Sequence, residues 1–549
     1  MIKSRVKAIV DRCFSEGADQ GYWSSEAAGR YTIEVPKREG QGDFSTNFAL
    51  VAAGLAKAKS RELAERFVGM LTDEPMIERV EIAGPGFINL FLDKAIWATV
   101  LPPIHQEGER FGSSAVGAGK RILVEFVSAN PTGPLSVGHG RNAVLGDSIA
   151  RLLEAAGFAV QREYYFNDAG RQMRVLGESV QARYLELLGR PHTFPEDGYQ
   201  GEYIADIARA LVDESGDALV DSGFEPFTER ARQAIFADIN ATLQRIGIRF
   251  DTYFNEHSLY EDGRIYEVVE ALRSRGLVYE QDGATWFKTT ELGLEQDRVI
   301  IKQSGEPTYR LPDIAYHCDK FQRGYDRMIN IFGSDHIATV PDVLAGVRAL
   351  GHDDSRIDVV LYQFVTLLRE GKQVKMSTRK ATFVTVDELV DEVGVDALRF
   401  FFLMRKPDNL IEFDLDLALK QSQENPVYYV QYAHARLCSI DRQAREQQAV
   451  VDGAEHYLHL LVEPEEHALL KKLADYPQLV TGAAMDLAPH RIVFYLLELA
   501  GQFHGFYNRH KVLSDDPNLS RARLYLCGAL RQVFRNGLTL IGLSAPESM

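Results

Sequence analysis

Apolar residues recur along the chain with two spacings, one typical of strands and one typical of helices. Residues 122–127 form an apolar run that only Glu125 interrupts. A loop of Ser, Asn, Pro and Gly follows, and then apolar residues return at helical spacing at Leu145, Ile149, Leu152, Leu153 and Ala156. Strand, glycine-bearing loop and helix in this order predict an α/β unit whose helix N-terminus offers free backbone N–H groups to a phosphate.

Further strand-like runs surround this unit. They lie at residues 163–168, 299–301, 328–332 and 359–362, with helical patterns such as residues 339–350 between them. We predict a Rossmann-like, doubly wound parallel sheet over residues 116–390, with a mostly helical insertion at about 175–250.

The flanking regions differ from this core. Residues 1–115 combine helical periodicity with a strand signal around the Gly-Pro-Gly at 84–86, which predicts a small α+β domain. The Gly- and Ser-rich residues 105–120 are expected to form a linker. Strand-like runs cease near residue 390, so residues 391–549 are predicted to be an all-α bundle.

Composition sets outer limits on function. The chain has 549 residues, 45% hydrophobic and 25% charged, as in ordinary multidomain globular proteins. No apolar run approaches the roughly 20 residues that span a bilayer, and no signal peptide is visible. The cysteines (Cys13, Cys318, Cys438 and Cys527) are far apart, so we expect neither a structural metal nor disulfides, and a cytoplasmic location.

Charge gives only a weak indication of whether the protein binds nucleic acid. The net charge of −17 argues against a protein coated uniformly in nucleic acid. Residues 501–549 are locally basic, which fits either a polyanion partner or a solvated helix face.

Segments near the predicted strand ends carry the chemistry. SANPTGPLSVGH (residues 128–139) lies between strand and helix, and GSDH (residues 333–336) directly follows a strand. In the first segment Gly138 lets a nucleotide approach the backbone, and His139 can donate a hydrogen bond to a phosphate.

A third segment is the basic stretch VKMSTRKATFV (residues 374–384). Lys375, Arg379 and Lys380 in this stretch could neutralise charge that develops on a leaving pyrophosphate.

The motifs together resemble a known family. The SVGH of the first segment resembles the HIGH signature, and KMSTR the KMSKS loop, of class I aminoacyl-tRNA synthetases. Further segments resemble bacterial arginyl-tRNA synthetases in the same order: AGPGFINL, NPTGPLSVGHGR, NDAGRQ, TYRLPDIAYH, VGVDALRF, NPVYYVQYAHAR, FHGFYN and GLSAPESM. The resemblance covers essentially the whole chain.

The resemblance implies a reaction and its partners. L-Arginine would be activated by ATP, with Mg²⁺, to arginyl-adenylate and then transferred to the 2′-hydroxyl of the terminal adenosine of tRNA-Arg. Family members typically need bound tRNA before they activate arginine. We also expect a monomer that does not bind a membrane.

It also implies site residues. For arginine these are Glu125, Tyr309 and Asp313 at the side chain, with Ser128 and Asn130 near the α-amino group. The ATP site would comprise Gly138, His139, Gly333, Asp335, His336, Lys375, Met376 and Ser377. His139, Ser136, Lys375, Arg379 and Lys380 would act in catalysis, and Tyr428, Tyr432 and Arg436 would bind the anticodon. Residues 1–115 would contact the tRNA elbow.

Simpler structural roles stay open for several of these residues. Glu125 could pair with a structural Arg or Lys, because an unpaired carboxylate in a buried strand is costly. Asp313 could be a helix N-cap, and His336 could close a βα turn. Tyr428 and Tyr432 could simply pack in a helical core.

The sequence departs from the family at Ser136, which occupies the first position of HIGH, and at Thr378, which replaces the second lysine of KMSKS. Some arginyl enzymes carry a compensating lysine just before HIGH, but Gly133 stands here, so Arg379 or Lys380 is expected to take over its role. We therefore expect slowed activation, and a Ser136→His variant that is faster by roughly one to three decades.

Competing hypotheses are a tRNA-binding paralogue that no longer aminoacylates, supported by Ser136 and Thr378, a small-molecule adenylyltransferase, and a synthetase for another amino acid. The carboxylates Glu125 and Asp313 favour arginine, because a guanidinium matches carboxylates in a fork geometry.

Overall fold

The structure is a computed structural model that describes residues 2–36, 38, 40–71, 74–374, 384–449 and 451–549. No helix in these ranges has the length and apolar composition needed to cross a bilayer. The four cysteines are buried free thiols.

The N-terminal region is a small helix-and-sheet unit, as its sequence pattern predicts. Its elements are α1 (Ile2–Asp19), β1 (Ile33–Glu34), β2 (Phe44–Thr46), α2 (Phe48–Ala56), α3 (Ser60–Leu71), β3 (Ile77–Ala83) and β4 (Phe87–Leu92). The strands pair antiparallel in the order β1-β2-β4-β3, and the Gly-Pro-Gly sequence is the turn of the β3–β4 hairpin. Trp23 and Phe67 pack on Phe48 in the core.

The segment expected to be a linker is instead packed against the C-terminal helices. It follows α4 (Ala95–Ala98) and includes part of α5 (Leu101–Glu107). Phe111 is buried with its ring 6.0 Å from that of Tyr476. The Asn536 side chain donates hydrogen bonds to the carbonyl oxygens of Gly108 and Phe111, at 2.9 and 3.0 Å. The glycines and serines suggest a flexible tether, but the buried Phe111 anchors the segment.

The central region follows the predicted α/β order. Its first part consists of β5 (Arg121–Glu125), α6 (Val137–Ala155), β6 (Ala159–Phe166), α7 (Gly170–Leu187), α8 (Glu202–Ser215), α9 (Glu225–Arg245) and β7 (Thr252–Asn255). Its second part consists of α10 (His257–Glu261), α11 (Arg264–Ser274), β8 (Val278–Gln281), β9 (Ala284–Phe287), β10 (Arg298–Ile301), α12 (Arg310–Gln322), β11 (Arg327–Gly333), α13 (Val340–Ala349) and β12 (Ile357–Tyr362). The insertion predicted at about 175–250 consists of α7 to α9.

A parallel sheet organises this region, with strand order β12-β11-β5-β6-β7. The chain builds outward from β5 in one direction and from β11 in the other. The two neighbours therefore form the topological switch point, where ligands bind at the carboxyl ends of the strands. Gly146 lets α6 lie close to β5, because a Cβ there would come within 2.2 Å of the Phe126 ring.

Residues 299–301 do not belong to the parallel sheet, so this part of the sequence prediction is wrong. They form β10, which pairs antiparallel with β9 in a separate sheet of order β10-β9-β8. Only Ile300 of β10 is buried, whereas core parallel strands are covered on both faces.

The last region is mainly helical. Its elements are β13 (Val365–Arg369), β14 (Lys372–Gln373), α14 (Val386–Val393), α15 (Val395–Leu403), β15 (Ile411–Asp414), α16 (Leu415–Leu419), α17 (Pro426–Glu446), α18 (Pro464–Met485), α19 (His490–Arg509) and α20 (Pro517–Leu540). The prediction that strands end near residue 390 is wrong for β15, which pairs parallel with β13. Its alternation of buried Ile411 and Phe413 is too short to stand out in the sequence.

Candidate active site

The N-terminus of α6 begins at a serine cap. Ser136 is the N-cap of α6, and its hydroxyl accepts a hydrogen bond from the backbone N–H of His139. In return the Ser136 N–H donates to His139 Nδ1, at 3.3 Å. These reciprocal bonds form a capping box. Helix capping therefore explains why a serine stands at residue 136, which comparison with the HIGH signature alone does not.

The same bonds set the state of His139. Because Nδ1 accepts a hydrogen bond, the neutral ring carries its proton on Nε2. Burial lowers the pKa of His139 from its usual value, which favours that neutral form. His139 is therefore arranged as a neutral hydrogen-bond donor beside the free N–H groups of the α6 N-terminus.

A second helix with a capping box, α14, begins beside the N-terminus of α6. Thr385 caps α14 and forms an antiparallel bridge with Ser136. The Val137 N–H donates to the Val384 carbonyl at 3.3 Å, and the Val386 N–H to the Leu135 carbonyl at 2.9 Å. The chain that follows residue 383 is thus tied to the α6 N-terminus. The predicted residues Lys375, Met376, Ser377, Arg379 and Lys380 lie outside the described residues.

The turn after β5 is strained. Val127 and Ser128 both have positive φ, 65° and 47°, a conformation that β-branched residues rarely adopt. Asn142 on α6 supports it, since its side chain accepts from the Val127 N–H at 2.8 Å and donates to the Ile331 carbonyl at 2.9 Å. Such strain clusters at functional sites. Here it turns the Ser128 hydroxyl back to Glu125, 3.2 Å from Oε1.

Glu125 lies at the end of β5 and is buried, as is its partner Lys320 on α12. Lys320 Nζ is 2.6 Å from Glu125 Oε2. The open alternative that Glu125 pairs with a basic residue is therefore true, and Ser128 also contacts its carboxylate. Even with both interactions in place, Oε1 can accept a further hydrogen bond from a substrate.

Asp313 lies on α12 in the same group of charges. Tyr309 is the N-cap of this helix and no side-chain cap bond is present, so the N-cap interpretation of Asp313 is wrong. Burial and the neighbouring carboxylates of Glu125 and Glu256 raise the pKa of Asp313 to about 8, although Lys320 opposes the rise. Glu256, just before α10, is buried and accepts from the Tyr165 hydroxyl at 2.6 Å.

The side chain of Tyr309 does not join this group. It is 80% exposed at the start of α12, so the structure does not bring it into a buried pocket with Glu125. Tyr309 is the N-cap residue and precedes the first turn of α12. Its side chain therefore lies outside the part of the helix that packs on the sheet.

A cleft of about 760 Å³ opens beside the α6 N-terminus, lined among others by Asn130, Gly133, Ser136, His139 and Tyr203. Asn130 is fixed at both ends of its amide: Oδ1 accepts from the Asn167 N–H at 3.0 Å, and Nδ2 donates to Gln172 at 3.1 Å. A side chain at Gly133 would meet the Tyr203 hydroxyl at 3.0 Å, so a lysine there would require Tyr203 to move.

On the other side of the switch point, Gly333 ends β11 and the GSDH residues form a short 3-10 turn. Asp335 and His336 are exposed, and the His336 ring lies 5.3 Å from that of Phe332. Gly138 has its nearest neighbour, the Ser136 hydroxyl, 3.7 Å from where a Cβ would lie, which leaves its backbone approachable.

The anticodon candidates form an aromatic surface on α17. Tyr428 and Tyr432 are partly exposed and stack 5.9 Å apart, while Val430 and Leu437 of the opposite face are buried. Arg436 lies over the rings of Tyr432 and Tyr507, at 4.8 and 4.7 Å. Simple core packing describes the buried residues of α17 better than it describes the partly exposed tyrosines.

Sequence reasoning missed Lys320, Asn330 and Glu256. One signal was present, because Asp313, His317 and Lys320 are spaced i, i+4 and i+7 and so share one face of α12. A polar stripe that faces a sheet points to a buried polar network. Glu256 gives no such signal, since only the fold brings it to the end of the sheet.

The parallel sheet, its switch point at β5 and β11 and the capped α6 N-terminus define the catalytic domain of a class I aminoacyl-tRNA synthetase. Residues 104–406 match the family described as tRNA synthetases class I (R), catalytic domain. Residues 1–92 match the arginyl tRNA synthetase N terminal domain, and residues 430–549 the DALR anticodon binding domain. The chain belongs to the arginyl-tRNA synthetase family.

Individual relatives agree. An arginine–tRNA ligase from Desulfotalea psychrophila is 62% identical over 552 residues, covering 100% of both chains. One from Salinibacter ruber is 49% identical and covers 94% of this chain and 95% of its own. The Thermus thermophilus arginyl-tRNA synthetase structure has the same fold, with a TM-score of 0.76, 22% identity and full coverage of both chains.

The chain is thus an aminoacyl-tRNA synthetase that activates arginine and charges tRNA, as its sequence motifs predict. The hypothesis of a non-catalytic tRNA-binding paralogue is not favoured.

Proposed function

We propose that the guanidinium of arginine binds between Glu125 and Asp313, with Ser128 and Asn130 near its α-amino group. The observation that carries this assignment is an excess of carboxyl groups over basic partners. Glu125, Asp313 and Glu256 meet at the end of the sheet, and neither Asp313 nor Glu256 has an ion pair among the described residues. A planar cation that stays charged at every relevant pH suits such a site.

The nucleotide would occupy the switch point between β5 and β11. Gly138 and His139 would hold the phosphates at the α6 N-terminus, where backbone N–H groups and the helix dipole favour anions. Gly333, Asp335 and His336 would contact the nucleoside. Lys375, Met376 and Ser377 would complete the ATP site, with Arg379 and Lys380 neutralising pyrophosphate as it leaves.

The chemistry requires positioning more than covalent participation. A carboxylate oxygen of arginine bonds to the α-phosphorus of ATP as the bond from that phosphorus to the bridging oxygen breaks, and pyrophosphate leaves with that oxygen. The neutral His139 would donate its Nε2 proton as a hydrogen bond to oxygens on which charge develops. Mg²⁺ would arrive with ATP and shield its phosphates.

In the second step the 2′-hydroxyl oxygen of the terminal adenosine bonds to the arginyl carbonyl carbon and its proton passes to water, and AMP leaves with the former carboxylate oxygen. Bases of the anticodon would stack on Tyr428 and Tyr432, and Arg436 would contact the phosphate backbone. On this proposal residues 1–115 bind the tRNA elbow, 116–390 catalyse both steps and 391–549 bind the anticodon. The enzyme would act as a cytoplasmic monomer.

Arginine-dependent ATP–pyrophosphate exchange tests the assignment. Glu125→Gln and Asp313→Asn should each raise the KM for arginine by about tenfold or more, because a charge-assisted hydrogen bond becomes a neutral one. The KM for ATP should stay within about twofold. Glu306→Gln, which alters an exposed ion pair, is the matched control. Unchanged arginine KM in both site variants would place the pocket elsewhere.

The same assay, run with and without tRNA-Arg, tests the expectation that activation requires tRNA. Exchange at full rate without tRNA would contradict it.

A further inference from the structure

Lys320 has an unusual environment for a lysine. Its side chain is completely buried on α12, with Nζ 2.6 Å from Glu125 Oε2 and 2.7 Å from Asn330 Oδ1. The ammonium also lies 4.1 Å from the centre of the Tyr316 ring. A buried ion pair adds little net stability compared with apolar packing, because both charges lose their water. Its presence in a site therefore suggests a functional use.

The hydrogen bonds continue from Lys320 to the second carboxylate position. Asn330 Nδ2 donates to His317 Nε2 at 2.9 Å, and His317 Nδ1 donates to the Asp313 backbone carbonyl at 2.7 Å. Burial lowers the pKa of His317 to about 3, so this ring is neutral and can accept and donate as described.

This network ties together the elements that carry the two carboxylates. Asn330 is the register partner of Glu125 on the neighbouring strand β11. His317 and Lys320 lie one and two turns beyond Asp313 on α12. The same buried chain of polar groups therefore contacts the Glu125 carboxylate and the backbone of Asp313.

We propose that Lys320 is a positioning residue for arginine selection: it fixes the Glu125 carboxylate through Oε2 so that Oε1 is presented to the substrate guanidinium. The inference rests on the proposed binding of the guanidinium at Glu125 and Asp313. Lys320 itself contacts neither substrate; it acts through Glu125.

A positive charge at residue 320 also affects Asp313. The groups that face Asp313 are Glu125 on β5, Glu256 before α10, the phenols of Tyr165 and Tyr260, and Arg310 and Lys320 on its own helix. Of these, Lys320 and Arg310 favour the ionised carboxylate, while Glu125 and Glu256 oppose it. Arg310 already pairs with Asp342 at 2.6 Å, and Lys320 has the larger effect of the two on the pKa of Asp313.

A Lys320→Met variant of the full chain, assayed with tRNA-Arg, tests the proposal. We expect the KM for arginine to rise by roughly tenfold or more, with the KM for ATP within about twofold. The inflection in the pH profile of kcat/KM for arginine should move upward from about 8 by roughly one pH unit, because a positive neighbour is lost. Loss of stability alone would not move that inflection. Lys288→Met, which removes an ion pair between the half-buried Lys288 and the exposed Glu291, is the control.

A double-mutant cycle keeps the proposal testable if Lys320→Met folds poorly. Glu125→Gln combined with Lys320→Met removes both charges and leaves no uncompensated ion. If Lys320 acts through Glu125, the double variant should have the arginine KM of Glu125→Gln alone, within about twofold, when both are assayed at a pH where Asp313 is ionised in every variant. A further rise of roughly tenfold over Glu125→Gln would overturn the proposal.

The single variants distinguish failure of the proposed guanidinium site from failure of the proposed role of Lys320. A Glu125→Gln variant with wild-type arginine KM contradicts the proposed guanidinium site itself. Raised KM in Glu125→Gln with unchanged KM and pH profile in Lys320→Met contradicts only the role of Lys320.

Discussion

Ser136 and Thr385 face each other as partners in an antiparallel bridge, and each caps its own helix with a reciprocal capping box. The chain leaving the basic segment at residue 383 is thereby fixed to the N-terminus of α6. Ser136 thus caps α6, orients His139 and takes part in the contacts that join residues 384–386 to the N-terminus of α6. This arrangement leads to the first prediction.

Replacing Ser136 by alanine should lower the rate of arginyl-adenylate formation by about tenfold. The His139 backbone N–H loses its acceptor, the His139 ring loses the hydroxyl that lies 3.3 Å from Nδ1, and the helix loses roughly 1 kcal/mol. Ser136→Thr keeps a hydroxyl and should retain most of the activity. Pre-steady-state adenylate formation with tRNA present measures both. Equal rates for the alanine and threonine variants would show that the cap has no catalytic consequence.

The expectation that Ser136→His accelerates activation stays a prediction. Its gain would come from a second donor to phosphate, but the variant also removes the serine cap, and the two effects oppose each other.

Arginine binding should depend on pH through Asp313. Its raised pKa of about 8 means that the carboxyl of the free enzyme is largely protonated at pH 7 and must ionise to bind a guanidinium. The KM for arginine should therefore fall as pH rises from 7 to 9. Asp313→Asn should abolish this trend, and a wild-type profile that is flat across this range would contradict the argument.

The same shift affects stability. A carboxyl whose pKa is raised on folding contributes stability that is fully present below its unfolded pKa and is lost as pH rises toward 8. Asp313→Asn should consequently gain stability relative to wild type as pH increases from 4 to 8. Thermal unfolding midpoints of both proteins across this range measure the difference.

The sequence identified the site elements well where local pattern and motif coincide. The β5–loop–α6 unit, the parallel sheet that contains β5, β6, β11 and β12, and the buried face of α17 all follow from the sequence pattern. The pairing of Glu125 with Lys320 was predicted only as one alternative, and its partner could not be named, because 195 positions separate the two residues.

Other features could not be predicted for physical reasons. β15 is too short to show an alternation, and β10 has the composition of a core strand but only one covered residue. The packing of Phe111 on Tyr476 depends on a helix hundreds of positions away. The cap at Ser136 could have been anticipated, since serine is among the best N-cap residues and the helix begins at the next position.

Close packing between α6 and β5 offers a further test. A methyl group at Gly146 would collide with the ring of Phe126, which directly follows Glu125. Gly146→Ala should destabilise the protein by about 1–3 kcal/mol and raise the KM for arginine as the end of β5 shifts. Gly505→Ala on α19, where a Cβ meets nothing within 4 Å, is the control. Wild-type arginine KM in Gly146→Ala would show that the site tolerates this displacement.

The aromatic surface on α17 should serve tRNA and not the amino acid. Tyr432→Ala removes a stacking platform and should raise the KM for tRNA-Arg by about tenfold, because stacking of a base on an aromatic ring contributes roughly 1–3 kcal/mol. The KM for arginine at saturating tRNA should not change. Tyr266→Ala alters an exposed tyrosine in the central region and controls for loss of surface aromatics. An unchanged tRNA KM for Tyr432→Ala would assign the tyrosine pair to packing.

The central claim is that carboxylates at the end of β5 and on α12 select a guanidinium. Competition between arginine and citrulline, its neutral ureido analogue, in tRNA charging measures this most directly. We predict that the wild-type enzyme prefers arginine by roughly three decades or more in kcat/KM, and that Glu125→Gln with Asp313→Asn reduces the preference to about tenfold or less. An undiminished preference in the double variant would contradict the account.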